Sequence, residues 1–223
     1  MVEAADVPPD VRILVVDDHE MFASSLALAL DHEQGLHVVG TAATLSQARK
    51  MLISLGPDLL LIDHRLPDGF GAAALPEFKR RCPAVRVVLM SAAVDDAALV
   101  SAIENGASGF LSKSASMDEL VAALRAAAAG EVLVSPALLA RLLPRLRRDG
   151  RHSRADLTPR EVEIVEAFAR GLTNNDIAAE LGISVNTVRN HVQNLLAKLG
   201  VHSKLEALAV AVREGIIAPA EVR

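Results

Sequence analysis

Residues 11–18 read VRILVVDD, and this stretch decides the fold of the N-terminal half. After Arg12 the run shows no polar alternation, which is typical of a strand buried on both faces. It ends in two carboxylates, Asp17 and Asp18. Strands of this kind belong to parallel sheets, where ligands sit beyond the carboxyl ends of the strands.

Working outward, the same alternation of apolar strand and helix repeats up to Gly130. Five βα units in about 120 residues predict an α/β fold with a five-stranded, doubly wound parallel sheet. The predicted strands are 11–16, 36–41, 59–62, 85–90 and 108–111, and the predicted helices are 20–30, 45–55, 72–81, 95–104 and 117–129.

The pattern changes to helices alone after Asp156. Thr158, Pro159 and Glu161 form a capping-box start for a helix that ends at Gly171. Three more helices are predicted over 174–181, 185–199 and 204–213. The pair 174–181 and 185–199 has the apolar spacing of a helix-turn-helix, although a plain three-helix packing module has the same spacing.

Charge and composition divide the chain into three parts. Residues 1–130 hold 10 Lys and Arg against 17 Asp and Glu, residues 131–150 hold 4 against 2, and residues 151–223 hold 9 against 9. We therefore predict an N-terminal domain at 11–130, a basic and partly helical linker at 131–155, and a C-terminal domain at 156–217. Charge alone does not indicate DNA binding, because the C-terminal part is not basic.

Targeting and redox features are few. No apolar segment is long enough for a membrane span, and residues 1–10 lack a signal-peptide core, so a cytoplasmic protein is expected. The single cysteine, Cys82, is expected to be a small buried side chain.

Polar residues stand where the predicted strands end. Asp17 and Asp18 follow the first strand, Asp63 the third, Ser91 the fourth, and Lys113 lies just beyond the fifth. Three converging carboxylates favour a hard divalent cation, and Mg²⁺ suits oxygen ligands. A carboxylate in such a site can attack a phosphoryl group, while Ser91 and Lys113 bind its oxygens.

These residues give the first resemblance. Residues 11–130 resemble a bacterial receiver domain, which has a flavodoxin-like fold. The resemblance implies that Asp63 is the phosphoacceptor, Ser91 and Phe110 are switch residues, and Lys113 contacts the phosphoryl group. It also implies Mg²⁺ ligands, which are Asp17 (through water), Asp18, Asp63 and the backbone carbonyl of Arg65.

The C-terminal strings Leu157-Thr-Pro-Arg-Glu, Gly171-Leu-Thr-Asn-Asn-Asp-Ile-Ala and Asn186-Thr-Val-Arg-Asn-His-Val resemble the LuxR-type helix-turn-helix domain. With the receiver, nearly the whole chain is similar to NarL/FixJ-type two-component response regulators. The resemblance implies a sensor histidine kinase and promoter DNA as partners, and a homodimer when the chain is phosphorylated or bound to DNA. Helix 204–213 is where such domains often dimerise on DNA. It places base-facing residues at Arg189, Asn190 and Gln193, and phosphate-facing ones at Thr187, His191 and Lys198.

Two other functions stay open on the residues alone. An aspartate-nucleophile phosphohydrolase uses a similar residue set, but its pattern has a general acid two residues after the nucleophile, where this chain has His19 after Asp17. A DNA binder with an inactive receiver is the other. The leading expectation is a regulator with no enzymatic activity beyond phosphorylation and slow dephosphorylation of Asp63.

Overall fold

The computed structural model describes residues 10–92, 96–131 and 157–217. The N-terminal domain begins with β1 (Val11–Val16), α1 (Glu20–Asp31), β2 (Leu36–Ala42), α2 (Leu45–Leu55) and β3 (Leu59–Asp63). A small hairpin, β4 (Arg65–Leu66) and β5 (Gly69–Phe70), leads to α3 (Gly71–Arg81). The domain then continues with β6 (Arg86–Ser91), α4 (Asp96–Glu104), β7 (Gly109–Ser112) and α5 (Met117–Ala128).

The five long strands form one parallel sheet in the order β2-β1-β3-β6-β7. On one face, Ile13 and Val15 of β1 pack against α1 and α5. On the other face, Leu14 and Val16 pack against α2, α3 and α4. The expected doubly wound α/β fold is therefore confirmed.

Four strands, β2, β3, β6 and β7, end one residue later than predicted. Asp63 pairs with Met90, and Ser91 pairs with Ser112, so the backbone ladder continues past the apolar residues. Hydrophobicity marks what is buried by helices, whereas the strand boundary depends on backbone hydrogen bonds. Asp63 and Ser91 are thus the last residues of β3 and β6, rather than the first loop residues.

The C-terminal domain is a group of four helices, α6 (Pro159–Ala169), α7 (Asn174–Leu181), α8 (Val185–Leu199) and α9 (Lys204–Arg213). The predicted capping box of Thr158 and Glu161 is present, with both reciprocal hydrogen bonds. Gly182 turns the chain between α7 and α8 in the left-handed conformation, which favours glycine. The connector predicted at 131–155, with its basic helix, lies outside the described residues except for Glu131.

The two domains touch through α4 of the receiver fold and α9 of the helical domain. Near this contact, a Cβ placed on Gly106 would lie 3.3 Å from Oε2 of Glu206 and 3.7 Å from Cβ of His202. No helix among the described ranges is long and apolar enough to cross a membrane.

Candidate functional site: an acidic pocket and a recognition helix

The acidic residues converge at the carboxyl edge of the sheet, as the strand ends predicted. One ligand atom from each of Asp17, Asp18, His19 and Asp63 lies within 4.8 Å of the others. Asp17 and Asp63 are buried, whereas Asp18 is exposed at the pocket mouth. Because β1 and β3 are neighbours in the sheet, their carboxylates are forced together.

Lys113 closes this pocket from the loop after β7. Its Nζ lies 2.5 Å from Oδ2 of Asp63 and 2.6 Å from Oδ2 of Asp17. Burial opposes its charged form, but hydrogen bonds and attraction from the two carboxylates prevail and raise the pKa of Lys113. The lysine is therefore a permanent cation within reach of any group attached to Asp63.

The pocket holds three carboxylates and one ammonium, which leaves two negative charges. A divalent cation with oxygen ligands fits this balance, because it neutralises both charges without burying a new one. The backbone N–H of Arg65 donates to Oδ1 of Asp63 at 3.2 Å, so the loop after β3 is folded back onto the acid.

His19 was not predicted to take part in the site, yet its side chain is there. Its Nδ1 lies 3.1 Å from Oδ1 of Asp17 and 3.1 Å from Oδ1 of Asp18. Its backbone N–H donates to Asp17 at 3.0 Å. The signal in the sequence was its position directly after the acidic pair, where the turn into α1 begins.

The loop after Asp63 is anchored at both ends. Asp68 accepts the backbone N–H groups of Leu45 and Ser46 at 2.8 and 2.9 Å, and these bonds outweigh burial and lower the pKa of Asp68. At the other end, a Cβ on Gly71 would collide with the carbonyl oxygen of Asp63. The glycine is thus required for the close approach of α3 to the strand that carries the acid.

The two predicted switch residues lie on neighbouring strands, β6 and β7. Ser91, at the end of β6, is buried, and its carbonyl oxygen accepts the backbone N–H of Lys113 at 2.8 Å. Phe110 is the neighbour of Leu89 in the register of β6 and β7 and is 7% exposed, so its ring is packed inward. The structure thus brings Asp17, Asp18, Asp63 and Lys113 together, with Ser91 linked to Lys113 through the backbone, whereas Phe110 belongs to the hydrophobic core.

The predicted DNA-contacting residues all lie on α8. Arg189, Asn190, Gln193 and Lys198 are exposed, and Thr187 and His191 are half-buried. The opposite face, formed by Val188, Val192 and Leu195, is buried against the other helices. This polar face has the geometry of a recognition helix, with one exception.

The exception is Lys198, because its ammonium group already forms an ion pair within the domain. Its Nζ lies 2.7 Å from Oε2 of Glu161, the same oxygen that accepts from the backbone of Thr158. Although burial works against ionisation of Glu161, the bonds from Lys198 and Thr158 lower the pKa of that carboxyl. A phosphate contact by Lys198 therefore competes with an internal ion pair.

The exposed face of α8 borders the receiver. Arg189 and Gln193 line a cavity of about 170 Å³ together with Arg86 at the start of β6 and Gly130 after α5. Beside it, Lys204 donates to Oε2 of Glu131 at 2.8 Å and to Oδ1 of Asn174 at 2.8 Å, while Asn174 N–H donates to Oε1 of Glu131. Nothing in the sequence pointed to this cluster, because Glu131 and Lys204 are far apart along the chain.

A parallel sheet with an acidic pocket, followed by a helix-turn-helix, defines a two-domain signalling regulator. Sequence models of two families match it: the response regulator receiver domain over residues 13–125 and the luxR family of bacterial regulatory proteins over residues 155–211. The chain therefore belongs to the response regulators with a LuxR-type DNA-binding domain. These are transcription regulators rather than classical enzymes.

Proteins of similar sequence match this chain over nearly its full length. The chain is 32% identical to the transcriptional regulatory protein LiaR of Bacillus subtilis (strain 168) over 209 residues, 93% of this chain and 99% of LiaR. It is 30% identical to the response regulator protein VraR of Staphylococcus aureus (strain NCTC 8325 / PS 47) over 211 residues, 93% and 99% of the two chains.

Two solved structures of response regulators are also similar to this chain. ChrA, a response regulator of a heme-sensing two-component system, is 27% identical, with a TM-score of 0.51 over 93% of this chain and 99% of ChrA. The NarL signal receiver domain of Mycobacterium tuberculosis is 34% identical, with a TM-score of 0.52 over 56% of this chain and all of that domain.

Proposed function

We propose that this response regulator is switched by phosphorylation of Asp63, and that the switch controls the access of α8 to promoter DNA. The observation that carries the proposal is the pairing of Asp63 with Lys113 at 2.5 Å, in a pocket that also holds Asp17 and Asp18. A nucleophilic carboxylate, a fixed cation and a divalent-ion site are together what phosphoryl transfer to an acid requires.

The proposed reaction transfers a phosphoryl group from a histidine of the kinase to Asp63. A carboxylate oxygen of Asp63 attacks the phosphorus of a phosphohistidine on a sensor kinase, a P–O bond forms, and the P–N bond breaks. The electron pair leaves with the imidazole, which takes up a proton. The Lys113 ammonium moves from carboxylate to phosphoryl oxygens, where it offsets the added negative charge.

Mg²⁺ is the proposed cofactor, held by Asp18, Asp63 and the carbonyl of Arg65, with Asp17 acting through water. When bound, it supplies the positive charge that lets an anionic phosphoryl group approach three carboxylates. The two uncompensated negative charges of the pocket support this choice.

The proposed readout runs through Ser91 and Phe110. A phosphoryl group on Asp63 offers oxygens to the Ser91 hydroxyl, at the neighbouring strand end. Movement of Ser91 towards Asp63 leaves room for the Phe110 ring, which sits on the next strand. Because β6 leads into α4, and α4 contacts α9, a change there reaches the DNA-binding domain.

The unphosphorylated chain is proposed to be closed. Arg189 and Gln193 share a cavity of about 170 Å³ with the receiver. A major groove about 12 Å wide, with the duplex around it, does not fit beside them while the receiver occupies that place. Opening frees α8, and the homodimer proposed through α9 then forms on promoter DNA, in the cytoplasm where that DNA lies.

The test is chemical labelling of the purified chain. Incubation with acetyl phosphate and Mg²⁺ should give one acid-stable, base-labile phosphoryl adduct at Asp63, mapped after borohydride reduction and mass spectrometry. Asp63→Ala should abolish the adduct, whereas Asp118→Asn, a carboxylate exposed on α5, should leave it unchanged. Normal labelling of Asp63→Ala, or labelling that needs no divalent ion, contradicts the proposal.

A further inference from the structure

We infer that the cavity between the receiver and the recognition helix is a binding site for a small dianion of the phosphate class, which holds the two domains together. It is distinct from the acidic pocket, which lies at the opposite, carboxyl edge of the sheet. The lining of the cavity includes the charged residues Arg86, Glu131, Arg189 and Lys204 and the polar residues Ser108 and Gln193.

The charge of this lining is unbalanced. Lys204 is paired with Glu131, but Arg86 and Arg189 have no carboxylate at ion-pair distance among the described residues. Within the part of the chain that the structure describes, the lining therefore carries three cations and one carboxylate, a surplus of two positive charges. Such a surplus in a half-enclosed space is stabilised by an anion of the same magnitude.

The cations are close enough to affect one another. Burial is the main reason that the pKa of Lys204 is lowered, and repulsion from Arg86 and Arg189 lowers it further. Burial also lowers the pKa of Arg86. A bound anion therefore relieves the repulsion among these cations, which Glu131 offsets only at Lys204.

DNA reading does not explain this arrangement by itself. Arg189 and Gln193 have a reason to be polar, because they lie on the exposed face of α8. Arg86, however, begins a receiver strand and has no place in a DNA groove. Its guanidinium offers a planar set of donors suited to oxyanions, and Ser108 adds a hydroxyl on the same side.

The cavity is large enough for such a ligand. Its volume of about 170 Å³ compares with roughly 10–15 Å³ needed for one water by the same kind of measure. A phosphate group with a short organic tail therefore fits, whereas a nucleic acid duplex does not. Because the ligand touches both domains, its binding favours the closed chain and opposes DNA binding.

The first experiment measures binding by calorimetry on the full-length, unphosphorylated chain, without Mg²⁺. Inorganic phosphate and glycerol 3-phosphate are titrated separately, with chloride at matched ionic strength as the reference. We expect saturable binding of one anion per chain and a rise of the melting temperature. Binding of phosphate alone identifies the free ion as the occupant, and binding of both admits phosphomonoesters.

Charge variants should change the affinity for the anion in opposite directions, whereas a loss of folding would lower the affinity in every variant. Arg86→Gln should weaken binding by about tenfold or more, since a charge-assisted bond is lost. Gln193→Lys should strengthen binding, because it adds a positive charge to the lining at an exposed position and leaves the pair of Lys204 and Glu131 in place. Arg125→Gln, on the exposed surface of α5, is the matched control and should bind like the wild type.

The second experiment measures DNA affinity by fluorescence anisotropy. Phosphate should weaken DNA binding more than chloride does at equal ionic strength, and Arg86→Gln should remove the excess. This effect rests on the proposed function, whereas the binding itself does not. If Asp63 were not labelled but the anion still bound, only the proposed function would be contradicted.

Three outcomes overturn the inference. These are binding no stronger than that of chloride, equal binding by Arg86→Gln and the wild type, and loss of binding in Lys113→Gln, which would place the anion at the ammonium of the acidic pocket. Should Arg86→Gln fold poorly, Gln193→Lys still decides, because unchanged or weaker binding by that variant also contradicts the site.

Discussion

Lys198 forms an ion pair with Glu161, with Nζ and Oε2 2.7 Å apart, and so joins the recognition helix α8 to the first turn of α6. The Glu161 side chain is only 4% exposed, and it also completes the helix cap with Thr158. The ammonium is therefore part of the packing of the domain, in addition to any role at DNA.

We predict that Lys198→Ala destabilises the protein. Without the ammonium, the buried Glu161 carboxylate keeps only its hydrogen bonds from Thr158. The free energy of unfolding should therefore fall by about 1–3 kcal/mol. Thermal or urea unfolding followed by circular dichroism measures this cost, with Lys50→Ala on the exposed side of α2 as the control. Equal stability of the two variants would show that the ion pair is dispensable.

The DNA role expected for Lys198 is a separate prediction. At a salt concentration where the variant is folded, Lys198→Ala should weaken binding to all sequences alike and lower the salt slope by about one unit. If the ion pair with Glu161 persists on DNA, affinity should instead be unchanged, and the phosphate-contact assignment would fall.

Arg189 is predicted to read a base. It lies near the start of α8 on the exposed face, with Nη1 3.2 Å from Oδ1 of Asn186 and no carboxylate partner in the described chain. Arg189→Ala should cost roughly 1–3 kcal/mol for the target site and relax the preference at one base pair. Anisotropy titrations against target and scrambled DNA measure this, with Arg170→Ala as the control. Equal losses on both DNAs would make Arg189 a phosphate contact.

Glu131 is predicted to hold the chain closed. Glu131→Gln removes the charge that binds Lys204 and weakens the contact by about 1–3 kcal/mol. The unphosphorylated variant should then bind target DNA up to about tenfold more tightly than the wild type. Glu33→Gln, which affects an exposed pair with Arg125, serves as the control. An unchanged DNA affinity would argue against a closed resting state.

Gly71 is predicted to be indispensable for the position of Asp63. A methyl group there would overlap the Asp63 carbonyl oxygen, so Gly71→Ala should force β3 and α3 apart. We expect a loss of stability of about 1–3 kcal/mol and a slower rate of Asp63 labelling. Gly109→Ala, where a Cβ would make only an ordinary contact of 3.5 Å with Val88, tests whether the cost comes from the collision or merely from losing a glycine.

Lys79 gives a prediction about pH. Burial, together with repulsion from Arg86, lowers its pKa to about 8, while its Nζ donates to the Val85 carbonyl. Between this value and about 10.4, the unfolded chain binds more protons than the folded chain, so stability rises with pH. Relative to Lys79→Met, the wild type should gain about 2 kcal/mol between about pH 7 and about pH 9.5. A constant difference across this range would exclude the shifted lysine.

Sequence reasoning succeeded where function depends on strand ends and helix periodicity. Asp17, Asp63 and Lys113 were placed together because parallel strands deliver their carboxyl ends to one edge, which needs no knowledge of side-chain packing. The capping box of Thr158 and Glu161 was also predictable, because it depends only on two residues three positions apart. The hairpin of β4 and β5 was missed, since two-residue strands carry no periodic signal.

The interdomain contacts could not be predicted. Glu131 and Lys204 are separated by 73 positions, and their pairing depends on how α9 packs against α4. Arg86 reads as an ordinary strand start, and only the fold places it beside Arg189. Lys198 was assigned by its place on the helix face, which says nothing about Glu161 on another helix.

The packing of α9 against α4 has a consequence for how much transcription occurs without a signal. Most side chains of α9 are buried between the other helices and the receiver, so its surface cannot serve a second copy until the domains separate. Every 1.4 kcal/mol in that contact changes the fraction of ready molecules about tenfold. In the closed state that we propose, the strength of the contact between α4 and α9 sets both the transcription that occurs without a signal and the range that the kinase controls.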